Sequence, residues 1–372
     1  MHPSDTVFSP SFGNRPSYLV GRDDMLDQLM RGLTSAPGSR DRAVVLLGQR
    51  GSGKTVLLWE LADRMRRQNF IVATPTIVSE SMLERIAEKI VDDAGTAAKG
   101  KAHVSGGSLG ALGFSAGLQF QHDAPEPPSI QHRLTQLCRA LTKQGRGVLI
   151  LVDELQASNP EVRQLIITYQ ELVGEGLNVA IVLAGLPGAV SATLNDKVLT
   201  FLNRARKVPL EPLAFGDVDA FLARSFRQIG LAIDPDLRRR ASSFTEGSPY
   251  LLQLVGHNTV QYAQPDGEVT EDTLEDALRT SQEDFENDVC RTTLAALSEK
   301  DIEFLDALAA ESGEEGEGAT AAIAERMGVT HDYAQKYRKR LIDAGIVQAS
   351  GRGRVAMAVP HLADHLRRQA QE

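Results

Sequence analysis

Two cysteines, Cys138 and Cys290, are all the thiols in 372 residues, and they form no CxxC and no framework of pairs. A disulfide-stapled fold is thereby excluded, and a reducing compartment, the cytoplasm, is expected. Long apolar runs are missing too. The longest, such as Val148 to Val152, fall far short of the roughly 18 residues a membrane span requires, so no membrane partner is expected. The first residues, Met1-His2-Pro3-Ser4-Asp5, lack the basic and apolar regions of a signal peptide, which agrees with a cytoplasmic location. Positive charge is in deficit: 40 Lys and Arg stand against 49 Asp and Glu, a net charge of −9. Taken whole, the chain cannot coat nucleic acid or anionic lipid through bulk charge. What is present is ordinary for a globular chain, 42% hydrophobic and 24% charged residues. At about 150 residues per domain the length predicts two to three domains.

From Leu19 to about Leu213, short apolar runs alternate with longer amphipathic stretches. Strands are expected at Ala43–Leu47, Phe70–Ala73, Val148–Val152, Val179–Ala184 and Val208–Leu210. Helices are expected at Thr55–Gln68, Ser81–Asp93, Ile130–Lys143, Glu161–Val173 and Ala189–Leu202. Such alternation means βαβ units and a mainly parallel sheet with helices on both faces. After Leu213 the pattern is helical: Asp217–Ile229, Asp234–Phe244, Tyr250–Gln261 and Thr270–Leu297. Residues 1–18 read as an extended arm. Lys99 to Pro128, rich in Gly, Ser and Pro, and the acidic run Glu311 to Gly318 read as surface loops or insertions.

The strongest motif is Gly48-Gln49-Arg50-Gly51-Ser52-Gly53-Lys54-Thr55, a full match to GxxxxGK[ST] between an expected strand and helix. Its glycines allow a tight turn that aims backbone N–H groups at phosphate oxygens, and the helix N-terminus adds its dipole. Lys54 would reach the β- and γ-phosphates of a nucleotide, and the Thr55 hydroxyl would ligate Mg²⁺. The apolar strand Val148–Val152 ends in Asp153-Glu154, where ligands of a parallel sheet gather. Asp153 would then lie near the metal, and Glu154 would orient or deprotonate water.

Two GxSxG matches, Gly106–Gly110 and Gly113–Gly117, lie in the Gly-rich run without the strand and helix of a nucleophile elbow, and reflect composition. His361 and His365 are four apart but lack a third metal ligand of suitable spacing, and read as a helix surface. From about Ser298 the chain reads as a winged helix-turn-helix. Thr320 is expected to cap Ala321–Met327, Gly328-Val329 to turn, and Thr330 to cap His331–Ala344. A hairpin follows over Ile346–Val359 with its tip at Ser350–Arg354. Gln335, Lys336, Arg338, Lys339 and Arg340 on the second helix, with Arg352 and Arg354 in the wing, would contact duplex DNA. Gln335 or Arg338 could read base edges while the other cations neutralise phosphates. Residues 320–372 hold nine basic and five acidic side chains, a net +4, which leaves −13 for residues 1–319. The acidic average thus conceals a basic C-terminal segment.

On the phosphate loop and the Asp-Glu strand end the chain resembles the AAA+ and STAND-type P-loop ATPases. It is most similar to their origin-recognition-like group with a C-terminal winged helix. Leu19-Val20-Gly21-Arg22-Asp23-Asp24 resembles the box that lines the adenine pocket there, and Gly247-Ser248-Pro249 resembles the GxP motif of the helical lid. The resemblance implies an α/β P-loop αβα sandwich with a parallel sheet, an all-α lid and a winged helix-turn-helix. The boundaries are then 1–215 for the core, 216–297 for the lid and 298–372 for the winged helix. ATP and Mg²⁺ would be the cofactors, ATP turnover the reaction, and Gly21, Arg22 and Pro249 would join the phosphate loop in holding nucleotide.

Three departures stand out. The strand expected to carry a polar γ-phosphate sensor ends Ala184-Gly185-Leu186-Pro187-Gly188, which implies slow hydrolysis. Arg204 and Arg206 occupy the arginine-finger region, where a basic helix end is the plainer alternative. The 99–128 insertion lengthens the stretch between Lys54 and Asp153. The function so implied is an ATP-binding switch protein with a DNA-binding winged helix, with a homo-oligomer or a protein partner left open. The alternative is a signalling or defence ATPase whose winged helix docks a partner or locks the ATPase. A metabolic P-loop kinase is the more distant reading.

Overall fold

The computed structural model describes residues 5, 7–11, 15–16, 18–101, 129–156, 159–194, 200–313 and 316–371. In chain order the first unit comprises α1 (Asp23–Leu33), β1 (Ala43–Leu47), α2 (Lys54–Arg67), β2 (Phe70–Ile77), α3 (Met82–Lys101), α4 (Ile130–Lys143), β3 (Gly147–Leu155), α5 (Pro160–Gly174), β4 (Val179–Gly185), α6 (Pro187–Leu194) and β5 (Arg206–Pro209). The five strands make one parallel sheet in the order β2-β3-β4-β1-β5. Side chains alternate between faces along a strand, and here both faces are apolar. Val45, Ile150 and Ile181 pack with Ile86, Leu134 and Leu165 of α3, α4 and α5. Val44, Leu149 and Val182 pack with Leu26 of α1 and Leu58 of α2. Uniformly apolar strands are the sequence mark of such two-sided burial.

The helical unit contains α7 (Phe215–Ile229), β6 (Ala232–Ile233), α8 (Pro235–Phe244), α9 (Pro249–Tyr262), β7 (Glu268–Val269) and α10 (Glu271–Phe285), with β6 and β7 paired in parallel. The single helix expected over Thr270–Leu297 is broken: α10 passes into a π-helical stretch at Glu286–Cys290 before α11 (Arg291–Leu294). The last unit runs α12 (Glu299–Glu311), β8 (Glu317–Ala319), α13 (Thr320–Arg326), α14 (His331–Asp343), β9 (Val347–Gly351), β10 (Arg354–Met357) and α15 (Leu362–Gln369). Its antiparallel sheet has the order β8-β10-β9, which with α12, α13 and α14 gives the winged helix-turn-helix arrangement. Thr330 caps α14 by accepting the N–H of Tyr333. Thr320, expected as a cap, is instead the first residue of its helix and fully buried, behind the uncapped Ala319. The acidic run expected as a loop supplies the end of α12 and Glu317-Gly318 of β8.

Other expectations shift at element ends. The helix expected to stop at Asp93 continues to Lys101, so the first residues assigned to the insertion are helical. The stretch Ala189–Leu202 is divided between α6 and a 3₁₀ turn at Thr200–Arg204. The remainder of the Gly-rich insertion, with both GxSxG matches, lies outside the described residues. The arm departs most. Val7 and Phe8 are buried in the lid, where the Phe8 ring meets Phe221 edge-on at 5.9 Å and Phe226 at 5.7 Å. Ser9 N–H donates to Gln253 Oε1, His257 pairs with Asp5, and Arg15 bridges to Glu60 and Asp63 on α2. Lid and winged helix share one apolar cluster, in which Phe285, Val289 and Cys290 join Leu362 and Leu366.

Candidate functional site

β1 lies between β4 and β5, so the loop that follows it emerges at the sheet's C-terminal edge with a strand on either side. Gly48 N–H donates to Gly185 O at 3.3 Å, which ties the loop to the end of β4. Gly51 and Gly53 hold φ of +74° and +85°, a left-handed backbone that other residues adopt only with strain. At Gly48 a Cβ would come 2.3 Å from Ser52 Oγ, so that position has no room for a side chain. Gly53 then starts α2, and the loop N–H groups and helix dipole converge on one anion-binding turn.

Lys54 Nζ donates to the carbonyls of Gly48 at 2.8 Å and Gln49 at 2.6 Å. Burial brings its ammonium down to about 8, opposed by the attraction of Asp153 and assisted by Arg50. Thr55 Oγ1 donates to Asp153 Oδ2 at 2.6 Å, joining the start of α2 to the end of β3. Asp153 is buried and also accepts the N–H of Glu154 on Oδ1 at 2.9 Å. Opposite β4 the register of β3 slips between Val152 and Leu155, and Glu154 takes φ +54°. The bulge turns the Glu154 carboxylate outward into solvent while Asp153 stays inside.

The residues present fit a magnesium nucleotide. Ser52 Oγ is buried without a partner among the described residues, in a turn whose glycines leave no Cβ where phosphate oxygens would sit. A hydroxyl and a carboxylate already in contact are the hard oxygen donors that Mg²⁺ takes.

The other expected residues are placed as follows. Pro249 rests on the phosphate loop, its Cγ 3.7 Å from where a Cβ of Gly53 would be, and Tyr250 N–H donates to Gly51 O at 3.2 Å. Gly21, at φ +61°, packs on Asp217 at the start of α7. Arg22 is nearly buried, and its guanidinium donates to Glu211 O in the connection from β5 to the lid. The Leu19–Asp24 box therefore staples core to lid, and Arg22 is engaged by backbone. Arg206 lies in β5 level with Val44, well below the loop, and binds Gln28 of α1 through Nη2 at 3.0 Å. Arg204 is exposed at the end of its 3₁₀ turn. No polar side chain ends β4; Leu186 and Pro187 follow Gly185 directly.

In the winged helix Lys336, Lys339 and Arg352 are exposed. Gln335 contacts His331, and Arg338 is half-buried with an Nε that has no hydrogen-bond partner among the described residues. Arg340 is drawn onto the fully buried Asp301, and Arg354 onto Glu317 of β8 at 3.1 Å, so both are held by carboxylates of their own domain. His361 Nε2–H donates to Phe244 O, and His365 binds Glu286; neither belongs to a metal-holding group among the described residues. Among the described residues no helix is long and apolar enough to cross a membrane.

Two contacts were not legible. The Gln49 side chain donates to the carbonyl of Gly345 just past α14, and Gly188 touches Ala344. Position 49 is one of the free positions of the motif, so nothing in the sequence marks it.

Comparison with known proteins agrees with this geometry. Residues 18–182 match the AAA ATPase domain family, and residues 287–366 match a domain of unknown function, DUF8462. No curated protein sequence matches the chain. Among solved structures it is similar to the Walker-type ATPase PABY2304 of Pyrococcus abyssi, with TM-score 0.67 and 17% identity over 95% of this chain and 97% of that one. The ORC2 protein of Aeropyrum pernix in its ADPNP–ADP complexes gives TM-score 0.63 and 18% identity over 97% of each chain. The same protein in its ADP form gives 0.55 and 16% over 97% of each. Residues 18–182 are thus similar to the AAA ATPase domain family, and the chain as a whole has the fold shared by the Walker-type ATPase of Pyrococcus abyssi and the ORC2 protein of Aeropyrum pernix.

Proposed function

We propose that the chain is a magnesium- and ATP-dependent switch protein whose winged helix binds duplex DNA. The observation that carries the nucleotide part is the Thr55–Asp153 hydrogen bond, which couples the phosphate loop to the acidic strand end at 2.6 Å. Thr55 and Asp153 would hold Mg²⁺, and the loop N–H groups with Lys54 would hold the phosphates. Magnesium supplies neutralisation of the charge on the β- and γ-oxygens. Glu154, turned outward beside the metal ligands, orients water or takes its proton. Turnover is slow, because β4 offers no polar side chain to the γ-phosphate. Arg204, exposed at the sheet edge, is our choice of finger for a neighbouring subunit in a homo-oligomer, since Arg206 is engaged by Gln28.

The DNA part rests on Lys336, Lys339 and Arg352, exposed on the second helix and the wing. These cations would position phosphates, with Gln335 and Arg338 reaching base edges. Arg354 keeps a lesser part because Glu317 holds it. The second reading, a winged helix that locks the ATPase or docks a protein, is favoured by the Gln49–Gly345 contact. Anisotropy of a labelled duplex over a salt series separates the two. DNA binding predicts affinity falling by orders of magnitude between about 50 and 200 mM salt. No binding in low salt, with or without ATP, overturns the DNA reading.

A further inference from the structure

The end of β4 is where a polar side chain would report the γ-phosphate, and this chain places Gly185-Leu186-Pro187-Gly188 there. That segment is occupied by the winged helix. A Cβ on Gly188 would stand 3.2 Å from Ala344 Cα, and a Cβ on Gly345 would stand 2.7 Å from Pro187 Cγ. Gly345 has φ +73° and no side chain, and into that space comes Nε2 of Gln49, bonded to the Gly345 carbonyl. Gln49 is thus held at both ends: its side chain by the winged helix, its carbonyl by Lys54. A Lys54 ammonium has three donors, and two of them serve the Gly48 and Gln49 carbonyls.

We propose that Gln49 is the sensor that β4 lacks, a clasp between the phosphate loop and the C-terminal end of α14 that loosens when Lys54 turns to a nucleotide phosphate. A phosphate competes with the Gln49 carbonyl for Lys54. Once released, the peptide that carries Gln49 reorients, and the Gly345 contact goes with it. The platform at Pro187-Gly188 then loses its partner, and the winged helix leaves the mouth of the site. Coupling is reciprocal, so whatever loosens the clasp must tighten nucleotide. The inference rests on the nucleotide reading above and deepens it.

The test is a spin-label distance across the seam in the full chain, between Gln170→Cys on α5 and Gln348→Cys on β9, both exposed; the two native thiols are buried. Distances are measured with and without Mg²⁺ and a non-hydrolysable ATP analogue, and binding of that analogue is titrated in the same samples. Nucleotide is expected to shift or broaden a single narrow distance. Gln49→Ala removes the clasp, and Gly188→Leu wedges the seam without touching the phosphate loop. Both are expected to give the shifted distance without nucleotide and to bind the analogue roughly two- to tenfold tighter, the worth of one hydrogen bond. An unshifted distance in protein that has bound the analogue overturns the clasp, as do variants that match the parent in both readouts. Failure of the parent to bind the analogue overturns instead the nucleotide reading, and the clasp with it.

Discussion

Replacing Gly256 by Ala is expected to change sign with the residue at position 8. Gly256 lies inside α9, and a Cβ built there would fall 2.0, 2.2 and 2.5 Å from three atoms of the Phe8 ring. In the parent protein Gly256→Ala therefore expels the ring from its pocket against Phe221 and Phe226, at a cost of about 1.5–3 kcal/mol of apolar burial. Phe8→Ala alone costs about 3 kcal/mol, bounded by the worth of docking the arm, since Asp5–His257 and Ser9–Gln253 hold it independently. In the Phe8→Ala background the space is open, and alanine in a helix interior is better than glycine by about 0.5–1 kcal/mol. Gly256→Ala should then stabilise, and the coupling between the two positions should reach about 2–4 kcal/mol. Urea unfolding of the four proteins, followed by far-ultraviolet circular dichroism and by proteolysis of the arm, measures it. If Gly256→Ala destabilises equally in both backgrounds, the close approach of arm and α9 is not what requires the glycine.

Lys54→Ala should abolish nucleotide binding in a calorimetric titration, whereas Glu154→Gln should bind normally and lose about 100-fold or more in turnover; unchanged turnover would assign the water to another group. Arg352→Ala should weaken duplex binding about evenly across sequences and lower the salt slope by about 1, while Arg354→Ala, whose guanidinium Glu317 holds, should do less. The Asp219 carboxylate is held below its ordinary range by hydrogen bonds from Arg238 and, in smaller part, Ser242, against the opposing cost of burial. A depressed carboxylate stabilises above its unfolded value and ceases to as pH falls through the folded one. Asp219→Asn should therefore cost about 1 kcal/mol at neutral pH, a cost that shrinks as pH falls through the folded value of the carboxylate, as read by thermal melts over an acid pH series.

The sheet was legible because its strands are apolar on both faces, a pattern with few other solutions, and the phosphate loop because its chemistry tolerates few residues. Helix ends were less so. Nothing in Thr270–Leu297 announces the π-helical stretch at Glu286–Cys290, whose Val289 and Cys290 share an apolar cluster with Leu362 and Leu366 of α15. Thr320 misled because a hydroxyl before a helical run suits a cap and a buried first turn alike. The fate of Arg206, Arg340 and Arg354 depended on carboxylates and amides distant in the chain, at Gln28, Asp301 and Glu317, which no spacing rule relates to them. For the same reason the arm was opaque: Phe8 gains its meaning from a missing side chain at Gly256.

The apolar cluster common to lid and winged helix has a mechanical corollary. Two bodies that share a core cannot swing separately without opening it, so α7 through α15 behave as one lever. Its fulcrum is the Gly247–Tyr250 turn, pinned by Leu213 N–H on Gly247 O and by Tyr250 on Gly51. Its far end is Gly345, and Arg15 of the N-terminal arm, paired with Glu60 and Asp63 of α2, acts as a stay that limits travel. Under the proposed switch, a movement at the phosphate loop would be carried through this lever to the exposed cations of α14 and the wing. The chain is a machine of two parts, and grafting its winged helix alone onto another ATPase would cut through the lever.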